Sequence, residues 1–471
     1  MGLSDAIKKF LGRVRAGFDV AKMIEVMVLN RLSDPVSKLG IMCWLSTVYI
    51  PGLKKGEVQY QHLLRAMDYL IGIKDELENH IYNELCTLLS LKVDLVFYDL
   101  TSSYFEGEGP DLASYGYSRD KRPDRKQLVL ALVITPEGLP IYHEVLPGNT
   151  ADVATLKSTA QTLASRFKLR RVVLVCDRGL VSEENLRKLE ELGFPFIVGL
   201  KRRRSREAKK LYQKNLTGFR KEDDLEGLLV KEKENGSYRY IICHNPDVAK
   251  EKRVNREKRL RAVQKEIRKL EARFSKRKLK REDFYHKVIG LLEEKHLPSA
   301  GSGHCKKFFS PRIESDKVIL YLNTEIWDQE RYLDGTFFLK TNLKKDELST
   351  TEVVSSYKEL QEIERSFREL KDFLKIRPIF HYTDQRVRAH VFICVLAYLF
   401  ERLIGLFCRK ASLDISPRKA LWYLSRLKAI ECIAGGYRVI VTNQIDGMIR
   451  DIFMALKIKP PDRFLDNPHI P

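Results

Sequence analysis

Apolar residues recur at three- and four-residue intervals through the first ninety positions, as in Met23, Val26, Leu29 and Leu32. That spacing predicts helices. Pro51-Gly52 breaks the pattern, and His62 to Ile71 resumes it. From residue 93 the texture changes. Val93 to Asp99, Gln127 to Thr135 and Leu139 to Leu146 are β-rich apolar runs, and Pro136-Glu137-Gly138 marks a turn between the second and third. Thr150 or Asn149 can cap a helix through Phe167. Arg171 to Asp177 predicts a buried strand. Ser182 opens a helix to about Leu192, with Glu183 and Glu184 at the positive end of its dipole. Phe194 to Leu200 is a fifth strand. The first connections fit antiparallel neighbours and the later ones right-handed crossovers.

That order, a three-stranded meander feeding a βαβ tail, resembles the ribonuclease H-like arrangement. Beyond it, Leu260, Val263, Ile267, Leu270 and Phe274 alternate at three- and four-residue spacing on a long charged helix. The seam fits a solvated helix packed along one side, a dimer arm, or a helix lying on a DNA backbone. Residues 318–343 return to strand-like texture, so the insertion reads as mixed β and α. The most apolar stretch, Val391 to Phe407, contains Glu401 and Arg402 and reads as a buried helix rather than a membrane span.

Charge narrows the partner. The 471 residues carry 84 Lys plus Arg against 63 Asp plus Glu, a net +21, which points to a polyanion such as nucleic acid. Residues 201–300 hold 31 basic and 16 acidic residues, so most of the surplus lies in the insertion. The eight cysteines form no CxxC pair, which suits a reducing compartment and argues against a disulfide scaffold. Cys243-His244 and His304-Cys305 lack the spacing of a structural zinc site. No secretory leader is visible in Met1 to Asp19.

Asp99 ends the first predicted strand and Asp177 the fourth. In a sheet where those strands are parallel neighbours, the two carboxylates would project to one spot. They would repel each other there unless a cation lay between them. Oxygen-rich sites of this kind suit Mg²⁺ or Mn²⁺. A third acid lies in a predicted helix, where Ile363, Phe367, Leu370 and Leu374 form an apolar stripe. Tyr357, Glu364 and Lys371 are seven apart and so share a second face, joined by Arg368 four residues after Glu364. Glu364 could then reach a metal at the sheet edge while the basic groups reach phosphates; the alternative is an amphipathic helix with i,i+4 ion pairs.

These blocks together resemble the DDE transposases of bacterial insertion sequences, and more narrowly insertion-sequence family four and its branch numbered sixteen thirty-four. The family helix motif of Tyr, Arg, Glu and Lys is matched at Tyr357, Glu364 and Lys371, while Leu360 stands at the Arg position. Asp99-Leu100-Thr101, Asp177-Arg178-Gly179 and the stretch from Arg377 through His390 also look like family blocks, and the resemblance spans about residues 90 to 430.

The resemblance implies an α/β protein with a ribonuclease H-like catalytic core, a mixed β/α insertion, and helical N- and C-terminal regions. Its parts are a helical N-terminal region (1–90), expected to bind DNA and short beside related enzymes; the first part of the core (91–200); the basic insertion (201–345); the catalytic-Glu helix and core completion (346–410); and a C-terminal region (411–471). It further implies that Asp99, Asp177 and Glu364 hold two Mg²⁺ or Mn²⁺ ions, and that Tyr357, Arg368 and Lys371 bind DNA. The implied reaction is cleavage at transposon ends and strand transfer into target DNA. The implied partners are terminal inverted repeats, target DNA and a second copy in a synaptic homodimer. The implied setting is cytoplasmic and nucleoid-associated, with no membrane. A catalytically silent DNA-binding descendant and a non-transposing nuclease are the alternatives.

Overall fold

Gln127–Ile134 is apolar from Leu128 onward and wholly buried, as expected for a strand flanked and covered on both faces. This strand, β2, lies between β1 (Leu95–Tyr104) and β3 (Pro140–Pro147), antiparallel to both. A fourth strand, β4 (Val173–Cys176), follows the Asp152–Arg166 helix and neighbours β1. The computed structural model describes residues 2–12, 14, 16–54, 56–91, 93–167, 173–177, 182–200, 206–211, 217–276, 280–295, 304–314, 317–434 and 437–465. The chain forms two compact units. One comprises Met1–Val175, Arg187–Phe194 and Glu359–Pro471; the other comprises Cys176–Leu186 and Pro195–Lys358.

In the first unit, the Val173 amide donates to the Asp94 carbonyl at 2.9 Å. This bond joins the N-terminal starts of β4 and β1. Two neighbouring strands that begin at a shared bond can pair along their lengths only if they run parallel.

Alternation assigns the two faces of this sheet. Tyr98 donates to Thr155 Oγ1 at 2.7 Å, so even-numbered β1 residues face the Asp152–Arg166 helix. Asp99 pairs with Leu132, and Leu132 with His143, in one cross-strand row on the opposite face. His143 there lies against Phe392, with ring centroids 5.0 Å apart. Phe392 belongs to the 27-residue helix Asp384–Lys410. This helix has the length and apolar composition of a membrane span, but most of its apolar stretch is buried in the core. Among the described residues, five N-terminal helices precede the sheet. Two of them, Val20–Ser33 and Tyr60–Gly72, pack on the same long helix.

The Asp152–Arg166 helix starts after Ala151 with no side-chain cap, in place of the expected Asn149 or Thr150 cap. The Glu183–Glu191 helix does use Ser182, whose Oγ accepts from the Asn185 amide at 3.1 Å.

The second unit contains an antiparallel sheet. β5 (Phe196–Gly199) pairs with β11 (Thr336–Thr341), β11 with β8 (Tyr238–His244), β8 with β7 (Leu229–Asn235), and β7 with β6 (Arg220–Lys221). Between β8 and β11 lie the Pro246–Ser275 and Arg281–Glu294 helices and the hairpin of β9 (Phe309–Glu314) and β10 (Lys317–Leu322). The predicted seam is filled within the unit. Val263 and Ile267 pack with Phe284, Val288 and Leu292 of the second helix, and Phe274 stacks on Phe284 at 4.5 Å. Of the three readings of that helix, packing along one side is the one the structure displays. Arg256, one heptad before Val263, is also buried and pairs with buried Asp334 at 2.7 Å.

The C-terminal region is not wholly helical. Between the Pro417–Leu424 and Gly447–Ala455 helices lies a hairpin of β12 (Ala429–Ala434) and β13 (Tyr437–Thr442). Its isoleucines and valines have the β-branched preference for a pleated strand.

The open edge of β3 is sealed by charge. Buried Glu78 accepts from Lys74 at 2.8 Å and from Arg166, and His143 Nδ1 lies 2.7 Å from it. Burial alone would raise the Glu78 carboxyl, but Lys74, His143 and Arg166 outweigh it and hold the group at about 2. The folded value lies below the unfolded one, so this stability is present above about pH 4.5 and is lost as pH falls through about 2. Glu78→Gln should cost about 3 kcal/mol at pH 7, since it leaves half-buried Lys74 and Arg166 without the carboxylate they share. Denaturant titrations of both proteins should show that gap closing between pH 4.5 and 2.

Candidate active site

Asp99 is the fifth residue of β1, which runs on to Tyr104. The expectation that it ends the strand is therefore corrected. Leu100 to Tyr104 pair with Gln127 to Ala131, so the strand continues through the hydroxyl residues Thr101 to Ser103, past the end of the apolar run. Asp99 is partly buried. Asp177 is the first residue past β4 and is also partly buried. The Arg178 and Gly179 of its block lie outside the described residues.

The helix expected to carry Tyr357, Glu364 and Lys371 on one face is three pieces. Thr350–Glu359 stops before Leu360, Gln361–Arg368 follows, and Glu369–Phe373 is a π-helical turn. A break and a wider turn both change the angle per residue, so a seven-residue spacing no longer fixes a common face. The boundary between the two units also falls here, between Lys358 and Glu359.

Glu364 is exposed, on a helix fastened to the first unit's sheet. Ile363 and Phe367 are buried. The Ser366 and Tyr398 hydroxyls are 2.6 Å apart, and Tyr398 donates to the Gly138 carbonyl at 3.0 Å. Arg402 donates to Glu362 at 3.1 Å and to the Glu137 carbonyl at 2.7 Å. Gly138 has φ +79°, and a β-carbon there would strike the Arg402 guanidinium, so the turn requires glycine twice over. Tyr398 and Arg402 extend from the long helix that meets the His143 face. The Gln361–Arg368 helix packs on β1 and β2, so it lies on the sheet face that Asp99 also occupies.

In the second unit, Tyr357 donates to Asp177 Oδ1 at 3.3 Å. Its ring lies nearly parallel to that of Phe337, centroids 6.1 Å apart. Gly199 of β5 makes room for it, since a β-carbon there would collide with the hydroxyl.

Arg368 is exposed. Lys371 donates to Asp120 Oδ1 at 2.8 Å, and Arg377 to Asp120 Oδ2 at 2.6 Å. Burial pulls the Lys371 ammonium below its ordinary value, against the pull of Asp120. Asp120 was not foreseen. It is one acid within Ser118-Arg119-Asp120-Lys121-Arg122, and an acid surrounded by bases is the one signal the sequence offers.

The carboxylates are divided between the units, with Asp99 and Glu364 in the first and Asp177 in the second. Among the described residues, no three His, Cys, Asp or Glu side chains form a group able to hold a metal.

The family described as transposase DDE domain matches residues 94–400. A search of curated proteins finds no match. Among solved structures, the chain is similar to the piggyBac transposase synaptic complex with hairpin DNA, at 10% identity and TM-score 0.41, covering 90% of this chain and 77% of that one. It is also similar to the Mos1 transposase paired-end complex with left transposon end, at 16% identity and TM-score 0.17, covering 39% and 60%. Both scores are too low to establish a shared fold.

Gly199→Ala should displace Tyr357 and destabilise the second unit by about 1–3 kcal/mol. The cost should shrink in a Tyr357→Ala background. A double-mutant cycle of thermal melts checks it, and additive costs would show that Gly199 does not seat the tyrosine.

Proposed function

The chain belongs to the transposase DDE domain family, and from that premise we propose that it is a DNA transposase that cuts at transposon ends and joins the freed strand to target DNA. The core is ribonuclease H-like. An antiparallel β1–β2–β3 meander, a helix, and a β4 parallel to β1 support that reading. The narrower assignment is to insertion-sequence family four, branch sixteen thirty-four.

Asp99, Asp177 and Glu364 are the acidic trio. The observation that carries this is the shared sheet face of Asp99 and the Glu364 helix within one unit. The Val173–Asp94 bond makes β4 parallel to β1 at its start, as the ribonuclease H-like reading expects of the strands that lead to Asp99 and Asp177. The donor set also fits: three carboxylates, none fully buried, offer only hard oxygen ligands to Mg²⁺ or Mn²⁺. When bound, one or two such ions supply Lewis-acid stabilisation at the reacting phosphate.

The chain's own groups handle the DNA strand. Tyr357, Arg368 and Lys371 contact phosphates. Tyr357 and Lys371 are each held by an aspartate, which fixes where hydroxyl and ammonium stand. An ammonium has three donors, so Lys371 keeps others for a phosphate while bonded to Asp120. The basic insertion contributes salt-dependent affinity for flanking DNA. The partners are terminal inverted repeats, target DNA and a second copy in the synaptic complex, and the setting is cytoplasmic and nucleoid-associated.

Mg²⁺-dependent nicking of supercoiled DNA tests the reading. Asp99→Asn, Asp177→Asn and Glu364→Gln should each lower nicking by about a thousandfold while DNA affinity changes little. Retained nicking in any of the three would remove that residue from the trio. Binding without cutting in the unaltered protein would favour a silent DNA-binding protein. Cutting without joining to a second DNA would favour a nuclease.

A further inference from the structure

Two segments of the first unit are pinned together at two points. The Asp120 carboxylate holds Arg377 at 2.6 Å. At the other end, the Leu112 amide donates to Asp384 Oδ1 at 2.9 Å. Between the pins, each segment displays a pair of aromatic rings to solvent. Tyr115 and Tyr117 are 61% and 79% exposed on one; Phe380 and Tyr382 are 58% and 80% exposed on the other.

This exposure is built in. Ser114 and Gln127 exchange backbone bonds at 3.1 and 3.0 Å, and the Arg119 amide donates to Ser102 Oγ at 2.9 Å. Gly116, between the two tyrosines, lies so close to the Gly148 carbonyl that no β-carbon would fit. The backbone under Tyr115 and Tyr117 is therefore fixed on both sides. On the second segment Ile379 is buried, and the His381 ring is 5.4 Å from that of buried His390. Inward anchors on either side of Phe380, and between it and Tyr382, leave both rings facing out.

Burying large aromatics is worth a few kcal/mol each, so exposed rings on a fixed backbone mark an interaction surface. The company they keep selects the partner. The Arg119 guanidinium lies 5.8 Å from the Tyr117 ring, and that of Arg377 lies 4.9 Å from Tyr104. Lys371 shares Asp120 with Arg377. One segment comes after the strand of Asp99, and the other after the helix of Glu364 and the π-helical turn that succeeds it. Aromatic faces interleaved with cations suit a nucleic-acid strand. Bases inside a duplex are stacked and hidden, so only unpaired ones can reach such rings.

We propose that Tyr115, Tyr117, Phe380 and Tyr382 form a stacking platform for unpaired nucleotides of the DNA strand next to the cleaved phosphate. The proposal rests on the transposase reading for its substrate and deepens it by naming the form of DNA held. Stacking is tolerant of sequence because every base has a π-face. No knowledge of the terminal repeats is therefore needed to test it.

The test is fluorescence anisotropy of the full chain in EDTA. Three probes are compared: a blunt duplex, the same duplex with a five-nucleotide tail, and that tail made abasic. The natural tail should bind about tenfold tighter than the abasic one. Tyr117→Ser combined with Tyr382→Ser should erase that preference and leave blunt-duplex affinity within about twofold, because the fixed backbone and the cations remain. Tyr117→Trp should preserve it. Equal binding of natural and abasic tails, or a preference that survives the double substitution, would overturn the platform. Nicking in Mg²⁺, measured in parallel, reports the transposase reading separately. Base preference without nicking counts against the enzyme and for the platform; nicking without base preference does the reverse.

Discussion

The Asp384–Lys410 helix is the member on which the first unit's chemistry depends. It is apolar along most of its length and buried, so it can serve as a fixed wall. It presents Phe392 to the His143 end of the cross-strand row that contains Asp99. It presents Tyr398 and Arg402 to the helix of Glu364. Both polar side chains also reach the β2–β3 turn, at Glu137 and Gly138. A carboxylate on a strand and a carboxylate on a short surface helix are thereby referred to one rigid body. An eight-residue helix such as Gln361–Arg368 could not hold its own position in water. The bonds to Tyr398 and Arg402 supply what length does not.

Much of this was legible in the chain because it rests on periodicity. The strands from β1 to β5 fall close to their apolar runs, and the long helix was recognisable as buried from the two charges that interrupt it. The misreadings share one cause: a local pattern was extrapolated across a point where tertiary contacts intervene. The first strand was expected to end at Asp99, yet Ser102 and Ser103 beyond it are buried in the ladder. The 357–371 spacing looked like one helix face, yet the backbone breaks at Leu360 and widens at Glu369. Asp120 was illegible for a different reason. Its partners Lys371 and Arg377 lie some 250 residues away in the chain, and a single sequence carries no pairing information at that distance.

The heptad seam in the insertion shows how charge and packing divide the work. A stripe of apolar positions on a basic helix can be spent on a second chain, on DNA or on the protein itself, and here it is filled by the following helix and the segment around Phe308. Lysines and arginines on the helix's other faces, such as Lys258, Arg261, Lys265 and Arg268, are left outward. A rigid rod with an outward positive surface attracts phosphates without reading bases. The first unit carries the smaller share of the surplus charge but holds its donors at fixed points. Affinity and placement are thus assigned to different parts of the chain.

The aspartates of the site act on donors as well as on any cation. Asp177 holds the Tyr357 hydroxyl, and Asp120 holds Lys371 and Arg377. Lys371 and Arg377 keep further donors for a phosphate, so each is tethered before DNA arrives and its rotamer entropy is largely spent in the free protein. A flexible lysine in water loses that freedom on binding; a lysine bonded to Asp120 has already lost it. The tether has a second effect. Two cations sharing one carboxylate carry a net single positive charge, less than their number suggests. A phosphate that joins them meets a balanced cluster rather than a bare repulsive pair. Such a cluster gains less from long-range attraction and more from geometry, which suits a group that must hold one strand in one place.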